Sequence, residues 1–265
     1  MAAPSSSASA HDELIRRAFT TQAVAYAANP AISDPERVAR LVHAVEPEPD
    51  ARVLEVATGP GYVALGFAAV CREVVGVDLT DAPLEIAERN RRERGLTNVT
   101  FERGDARRLA YADETLDVVL CRLAFHHFDN PAAVLGEMAR VCRRGGKVAV
   151  EDIVVSEIAE RAAYQNRFEN LRDPSHTRAF SLSALLDLFT GAALEVEDVH
   201  TGRLTQALEQ WLANAHTPDD VAREVRALVE RDREEDLSGT HPYRRAEDGQ
   251  IVFNQRTAIV VARRR

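Results

Sequence analysis

The chain has 265 residues, of which 45% are hydrophobic, so one sizeable hydrophobic core is expected. Its formal net charge of −9 argues against a nucleic-acid backbone as the main partner, because phosphate binding needs a basic face. No apolar run approaches the ~20 residues that a membrane span needs, and its cysteines have no metal spacing. The composition therefore predicts a cytoplasmic protein with buried thiols and no membrane partner.

The N-terminal region is predicted to be a helical cap behind a short tail. Residues 1–11 are rich in Ser and Ala and are expected to be disordered. Apolar residues at helical spacing then predict helices that break at Asn29 and Pro30. Residues 12–50 are therefore expected to form the cap.

An alternation of strands and helices follows over residues 51–155. The expected strands are residues 52–56, 73–78, 99–102, 116–121 and 147–153. Because the crossovers between parallel strands are right-handed, this order predicts a doubly wound α/β fold that binds its ligand at the carboxyl edge of the sheet.

The alternation of strands and helices becomes less regular after the fifth strand. Residues 194–200 and 251–262 are predicted strands, the second of them an antiparallel edge. Residues 156–193 and 205–249 are expected to be helical and to form a roof over the substrate. Together these elements predict a seven-stranded, mostly parallel, Rossmann-like sheet in a single domain over residues 12–265.

The turn after the first strand has the composition of a nucleoside-binding loop. Gly59 and Gly61 allow a tight turn and a close approach of the backbone to a ligand. Asp78 ends the second strand and can accept both hydroxyls of a ribose. Glu55 would repel a pyrophosphate but suits a positive amine, as in S-adenosylmethionine. An ordinary turn, with Asp78 capping the next helix, is the structural alternative.

A second acid follows the third strand in the run Gly104, Asp105, Ala106. The carboxylate of Asp105 can accept the exocyclic amine of adenine, and the N–H of Ala106 can reach a ring nitrogen. A solvated turn is the alternative at this position.

With these motifs the chain resembles the class I S-adenosylmethionine-dependent methyltransferases. It looks most like the small-molecule branch that contains the ubiquinone/menaquinone-biosynthesis C-methyltransferases, over roughly residues 15–155. The family has a loop of the form acid-x-Gly-x-Gly-x-Gly, in which Ala57 here replaces the first glycine. The resemblance implies a fold of this class, S-adenosylmethionine as cofactor and a small-molecule acceptor of the methyl group. A homodimer is compatible with it.

The resemblance also implies a set of residues near the cofactor. Tyr26 is expected to cover the cofactor from the cap, and Arg122 to contact it through its backbone. The full expected set is Tyr26, Glu55, Ala57, Thr58, Gly59, Gly61, Asp78, Leu79, Gly104, Asp105, Ala106, Arg122 and His127.

Three histidines are candidates for catalysis. His126 and His127 follow the fourth strand, where the methyl group is expected, and His176 lies in a proline-broken part of the predicted roof. Each could take a proton from a nucleophile. For His126 and His127 the alternative is two packed histidines at the start of a helix. For His176 the alternatives are a substrate contact or a turn held by Asp173 and Ser175 that caps the next helix, and no metal site is predicted.

Two other functions stay open from the sequence. The run from Gly59 to Ala64 also satisfies the dinucleotide pattern Gly-x-Gly-x-x-Ala, so an NAD-dependent oxidoreductase is an alternative, against which Glu55 and Asp105 argue. A protein of this fold could also bind S-adenosylmethionine and catalyse another reaction. Because methyl transfer depends mainly on alignment of the reactants, the sequence does not identify the acceptor or the atom methylated.

Overall fold

The structure, a computed structural model, describes residues 10–265 and is built around one twisted mixed sheet. The first five strands run parallel: β1 (Arg52–Val56), β2 (Glu73–Asp78), β3 (Val99–Arg103), β4 (Leu116–Arg122) and β5 (Cys142–Val155). Two long antiparallel strands, β7 (Leu194–Ala207) and β9 (Ile251–Arg264), complete the order β3-β2-β1-β4-β5-β9-β7. The predicted fold class is thereby confirmed.

Two short strands bring the sheet to nine. β6 (Phe180–Ser181) pairs with the end of β5, and β8 (Tyr243–Arg244) pairs with the start of β9. Neither was predicted, because a strand of two residues has no period that a sequence pattern can show.

The N-terminal cap consists of α1 (Ala10–Ala28), α2 (Pro30–Ser33) and α3 (Pro35–Val45). The predicted break is present, because the side chain of Asn29 accepts a hydrogen bond from Ala31 and caps α2. Of the predicted tail, residues 1–9 lie outside the described residues. Ala10 and His11 belong to α1, so the expectation of disorder is wrong for these two.

The crossovers of the core are α4 (Tyr62–Ala68), α5 (Asp81–Glu93) and α6 (Pro131–Val141). The roof contains α7 (Ala159–Arg172), α8 (Leu182–Gly191), α9 (Leu208–Asn214) and α10 (Asp219–Glu235). Within the described residues, no helix combines the length and the apolar character needed to cross a membrane.

Each strand of the parallel core supplies both faces of the sheet, because successive side chains point to opposite sides. In β1, Leu54 packs in the cluster that also contains residues of α6 and α8, whereas Val53 packs in the cluster that contains residues of α3 and α4. The sheet, with its carboxyl edge, is therefore packed between helices on both faces.

The roof differs from its prediction in the extent of strand. β7 continues to Ala207, so residues 205–207, expected to be helical, are strand, and so are Tyr243 and Arg244. The cause is the long partner strand: β9 pairs with β7 from Leu194 to Ala207 and draws in a polar stretch that has little strand signal of its own. The side chain of Gln206 in this stretch donates to Gln255 of β9 at 2.9 Å.

Candidate functional site

A cavity of about 810 Å³ opens at the carboxyl ends of the first four strands. It lies where the strand order reverses between β1 and β4, the place where ligands bind in open α/β sheets. Helix α1 closes the cavity from above with Ile15, Phe19 and Tyr26. We call this space the first cavity.

Most of the predicted cofactor residues line the first cavity: Tyr26, Ala57, Gly59, Asp78, Leu79, Gly104, Asp105, Ala106 and His127. Three others, Glu55, Thr58 and Arg122, line a smaller adjoining space that Tyr26, Ala57 and Gly59 also border. Gly61 borders neither space, so the structure places it in the packing beneath the loop.

The loop after β1 contains three residues at positive φ. Ala57 has φ 55°, a conformation that favours glycine and agrees with the glycine of the family motif at this position. Gly59 has φ 53°, and a Cβ there would meet only the Tyr26 ring, at 3.7 Å. Gly61 has φ 78°, and a Cβ there would lie 2.7 Å from the ring of Phe101. Gly61 therefore permits close packing of the loop.

Asp78 connects this loop to the end of β2. Its carboxylate accepts hydrogen bonds from the N–H of Gly59 and from the N–H of Thr80, both at 2.9 Å. Burial raises the pKa of Asp78, and these hydrogen bonds oppose the rise. Asp78 therefore borders the cavity and binds the backbone of Thr80, the residue that precedes α5, and its contact with a ribose stays a prediction.

Glu55 is buried at the end of β1. Its Oε2 accepts hydrogen bonds from the hydroxyl of Thr58 at 2.5 Å and from the N–H of Ala64 at 2.8 Å. Burial raises the pKa of Glu55 to about 8, although both hydrogen bonds and the charge of Arg122 act in the opposite direction. In the ligand-free protein at neutral pH, Glu55 is therefore mostly neutral.

Asp105 forms an ion pair that the sequence did not suggest. Its two carboxylate oxygens accept hydrogen bonds from the guanidinium of Arg107 at 2.9 and 3.1 Å. The same guanidinium lies 2.7 Å from the carboxylate of Asp12 in α1. Burial raises the pKa of Asp105, but the contacts with Arg107 outweigh it and lower the pKa. Arg107 thus links the start of the helix that covers the cavity to the loop after β3.

A second cavity of about 650 Å³ adjoins the first and shares with it Phe19, Tyr26, Leu123 and His127. The roof and strand β9 contribute most of its polar lining: Glu169, Arg172, Asp173, His176, Gln206 and Asn214, with Gln255 from β9. Because the two cavities have these four residues in common, molecules bound in them would lie side by side.

The three candidate histidines all border the second cavity, and their rings lie against one another at tilted or edge-on angles. The ring centres of His126 and His127 are 4.2 Å apart, and those of His126 and His176 are 5.0 Å apart. The structure therefore brings together residues that the sequence places in two separate segments.

His126 differs from the other two histidines by its contact with a carboxylate. Its Nδ1 lies 2.6 Å from Oδ1 of Asp152, and its backbone N–H donates to Oδ2 of the same residue. Burial lowers the pKa of His126, but the charge and hydrogen bond of Asp152 outweigh it and raise the pKa. Of the three histidines, His126 is thus the one that is most readily protonated.

The other two histidines are held neutral. Burial and the charge of His126 lower the pKa of His127 to about 4, and its Nδ1 lies 3.0 Å from the carbonyl oxygen of Ser175. Burial also lowers the pKa of His176 far below its usual range, and its Nε2 lies 3.2 Å from Oδ1 of Asn166. The turn that carries His176 is held by Ser175, whose hydroxyl donates to Asp173 at 2.7 Å, as the structural alternative anticipated.

Comparison with known proteins identifies the family. Residues 54–150 match the model of a methyltransferase domain. An uncharacterised methyltransferase of Bacillus subtilis, YcgJ, is 30% identical over 207 residues, which cover 78% of this chain and 82% of that protein. The chain belongs to this family of S-adenosylmethionine-dependent methyltransferases.

Two further comparisons agree with this assignment. The crystal structure of YcgJ superposes on the methyltransferase with a TM-score of 0.81 and 27% identity, and the match covers 87% of this chain and 98% of the other. A ubiquinone/menaquinone biosynthesis C-methyltransferase of Bdellovibrio bacteriovorus is 40% identical over 101 residues, 37% of this chain and 43% of that protein. The predicted enzyme class and cofactor are confirmed, and the dinucleotide alternative is set aside.

Three polar residues of the methyltransferase site escaped the sequence analysis. Arg107 forms an ion pair with Asp12, which is 95 positions away in the chain, and only folding brings such residues together. Asp152 could have been noticed in the sequence, because an acid inside an apolar predicted strand needs a polar partner when it is buried. Arg172 precedes the turn that contains His176 and lines the second cavity. Among residues 10–265, no group of three or more His, Cys, Asp or Glu side chains is arranged to hold a metal ion.

Proposed function

We propose that this methyltransferase transfers the methyl group of S-adenosylmethionine to a small molecule bound in the second cavity. The observation that supports this most directly is the wall common to the two cavities, formed by Phe19, Tyr26, Leu123 and His127. Apolar and polar side chains both line the second cavity, as is usual for sites that bind small molecules.

The first cavity fits the cofactor in the chemistry of its lining. The carboxylate of Asp78 would accept the ribose hydroxyls, and the loop of Ala57 and Gly59 would lie along the methionine part. Asp105 would receive the adenine amine beside its ion pair with Arg107. The buried acid Glu55, in the adjoining space, would face the ammonium group. When bound, the cofactor supplies a methyl group on a positively charged sulfur, whose departure leaves a neutral thioether.

The chain itself must align the acceptor and exclude water. Helix α1 places Phe19 and Tyr26 over both cavities, so the reacting region is covered by side chains. Tyr26 is half-buried, and burial of its phenol holds the pKa well above the usual range, so this group stays neutral. Tyr26 would therefore shape the site without taking a proton.

His126 is the residue we propose as general base. Its Nδ1 donates to Asp152, which leaves Nε2 as the acceptor for a proton of the nucleophile. A negative partner makes an imidazole more basic and stabilises its protonated form. His127 and His176 stay neutral beside it and would position the acceptor.

The test is a methyl-uptake assay with a panel of phenols, quinones and amines, in which S-adenosylhomocysteine and the methylated product are both measured. We expect at least one acceptor to be methylated, and His126→Gln to lower kcat by about 10²- to 10⁴-fold, the usual contribution of a general base. His241→Gln is the matched control, because His241 pairs with Asp236 at 3.0 Å on the surface. It should leave the rate unchanged.

The pH profile separates the base from a packed histidine. Because only neutral His126 can accept a proton, kcat/KM should rise with pH through its raised pKa. Asp152→Asn removes the charge that raises this pKa, so the rise should move to lower pH. A profile that Asp152→Asn leaves in place would refute the assignment. Cofactor binding without methyl transfer to any acceptor would instead favour a different reaction on this fold.

A further inference from the structure

We propose that the acceptor carries a carboxylate that binds the guanidinium of Arg172 in the second cavity. This inference rests on the proposed function, because it concerns the class of molecule that the same cavity takes. It goes beyond that function by naming the charged group of the acceptor and the residue that recognises it.

Arg172 ends α7 and lines the second cavity. Its Nε donates to the carbonyl oxygen of Trp211 at 3.0 Å, and its guanidinium carbon lies 4.6 Å from the centre of the Trp211 ring. Both contacts hold the planar guanidinium in one orientation, which is the arrangement that favours bidentate binding of a carboxylate.

Within the part of the chain that the structure describes, the guanidinium of Arg172 has no direct carboxylate partner. Among residues 10–265, no Asp or Glu oxygen lies within 4.0 Å of its nitrogens. Two arginines that are more deeply buried differ in this respect, since Arg122 lies 3.0 Å and Arg37 3.7 Å from Glu151. Because Arg172 is half-buried and lacks a direct ion pair, a ligand that supplies a negative charge there would be favoured.

The two acids closest to Arg172 in the chain are engaged elsewhere. Asp173 accepts hydrogen bonds from the N–H and the hydroxyl of Ser175 at 2.9 and 2.7 Å. Glu169 accepts one from the side chain of Gln255 at 2.6 Å, and burial raises the pKa of Glu169 and so favours its neutral form. Neither acid therefore neutralises the guanidinium by direct contact.

The rest of the cavity suits an organic acid rather than an inorganic anion. Trp211, Phe19 and Leu204 provide apolar surface, while the side-chain amides of Gln206 and Asn214 provide donors. His126 borders the same cavity, so a molecule held by its carboxylate at Arg172 would have its other end oriented among the histidines. Binding energy at Arg172 would in this way align the nucleophile with the methyl group.

The chain contains a reporter for this binding. Trp211 is its single tryptophan, and it carries the guanidinium on its ring. Tryptophan emission therefore reports on the contents of the second cavity. We would titrate protein saturated with S-adenosylhomocysteine with benzoate, 4-hydroxybenzoate and 3-phenylpropionate, each matched with its methyl ester.

We expect the acids to change Trp211 emission and to bind at least about tenfold more tightly than their esters, the usual strength of a charge-assisted hydrogen bond. Arg172→Met should abolish this preference, and Arg172→Lys should retain part of it. Arg167→Met is the matched control, because Arg167 lies on the same helix and pairs with Glu224 at 3.0 Å on the surface. It should keep the full preference.

Several results would overturn the inference: esters that bind as tightly as acids, a preference that survives in Arg172→Met, or no binding by any of the six compounds. If Arg172→Met does not fold by circular dichroism, an undiminished preference in Arg172→Lys decides against the inference. Calorimetry with S-adenosylhomocysteine separates this proposal from the previous one. Cofactor binding and methyl transfer without an acid preference would leave the proposed function intact, whereas absence of cofactor binding would remove its basis.

Discussion

Glu55 is expected to lose a proton when the cofactor binds. Its pKa of about 8 means that roughly nine-tenths of the ligand-free molecules carry the neutral acid at pH 7. A positive amine close to the carboxyl favours the ionised form and lowers the pKa. If the pKa returns to its ordinary value of 4.5, binding at pH 7 releases about 0.9 proton per site.

The assay is isothermal titration with S-adenosylhomocysteine in buffers that differ in ionisation enthalpy. The slope of the observed enthalpy against that of the buffer counts the protons released. Because the buffer takes up the released protons, we expect a slope of about −0.9 at pH 7 and about −0.5 at pH 8, where half of the ligand-free Glu55 is already ionised. Glu55→Gln cannot ionise and should give a slope of zero. A zero slope for the unaltered protein, or an unchanged slope for Glu55→Gln, would refute the reasoning.

The same pKa predicts how stability depends on pH. Because the pKa of Glu55 is higher in the folded than in the unfolded protein, the folded state binds more protons between pH 4.5 and 8. The free energy of unfolding of the ligand-free protein should therefore fall as the pH rises through this window. A rise of this size in the pKa corresponds to a decrease of up to about 5 kcal/mol in the free energy of unfolding across the window. Urea titrations of Glu55→Gln should lack this decrease.

Three further predictions concern the first cavity and its lid. Asp78→Ala should weaken binding of S-adenosylhomocysteine in calorimetry by about 10- to 100-fold, and unchanged affinity would contradict the ribose assignment. Arg107→Ala should accelerate amide hydrogen exchange in α1 while leaving α6 unaffected, because it removes the link between α1 and the loop after β3; equal rates in both proteins would show that the link does not hold the helix. Gly61→Ala should lower the free energy of unfolding in urea by about 2–5 kcal/mol, from backbone strain and the clash with a ring. Gly95→Ala, where the φ is also positive but no atom lies within 4 Å of a Cβ, should cost only about 1–2 kcal/mol, and equal losses would rule out the packing argument.

Most of the parallel core could be predicted from the sequence because its signals are local. The strands of this region are apolar runs that end at turn residues, so β1 and β2 begin and end where the pattern indicated. The position of Asp78 at the end of β2 follows from the same pattern. The doubly wound arrangement and a ligand site at the carboxyl edge then follow from the handedness of the crossovers.

The roof and the ion pairs could not be predicted because they depend on contacts between distant segments. The second half of β7 is polar, and it is a strand only because β9 pairs with it. The contact of His126 with Asp152 joins the turn after β4 to β5, and that of Arg107 with Asp12 joins the loop after β3 to the cap. Local periodicity carries no information about such pairs. The choice among the three histidines therefore required the structure.

The cluster of eight buried side chains that contains Trp211 shares no member with the clusters on either face of the sheet. It is packed separately and borders the second cavity through Trp211, whereas the first cavity lies at the ends of the strands. Substitutions in this cluster should therefore affect the second cavity, through Trp211, and leave the residues that line the first cavity in place. Enzymes with this architecture can thus change their acceptor through substitutions in a small apolar cluster and still use the same methyl donor.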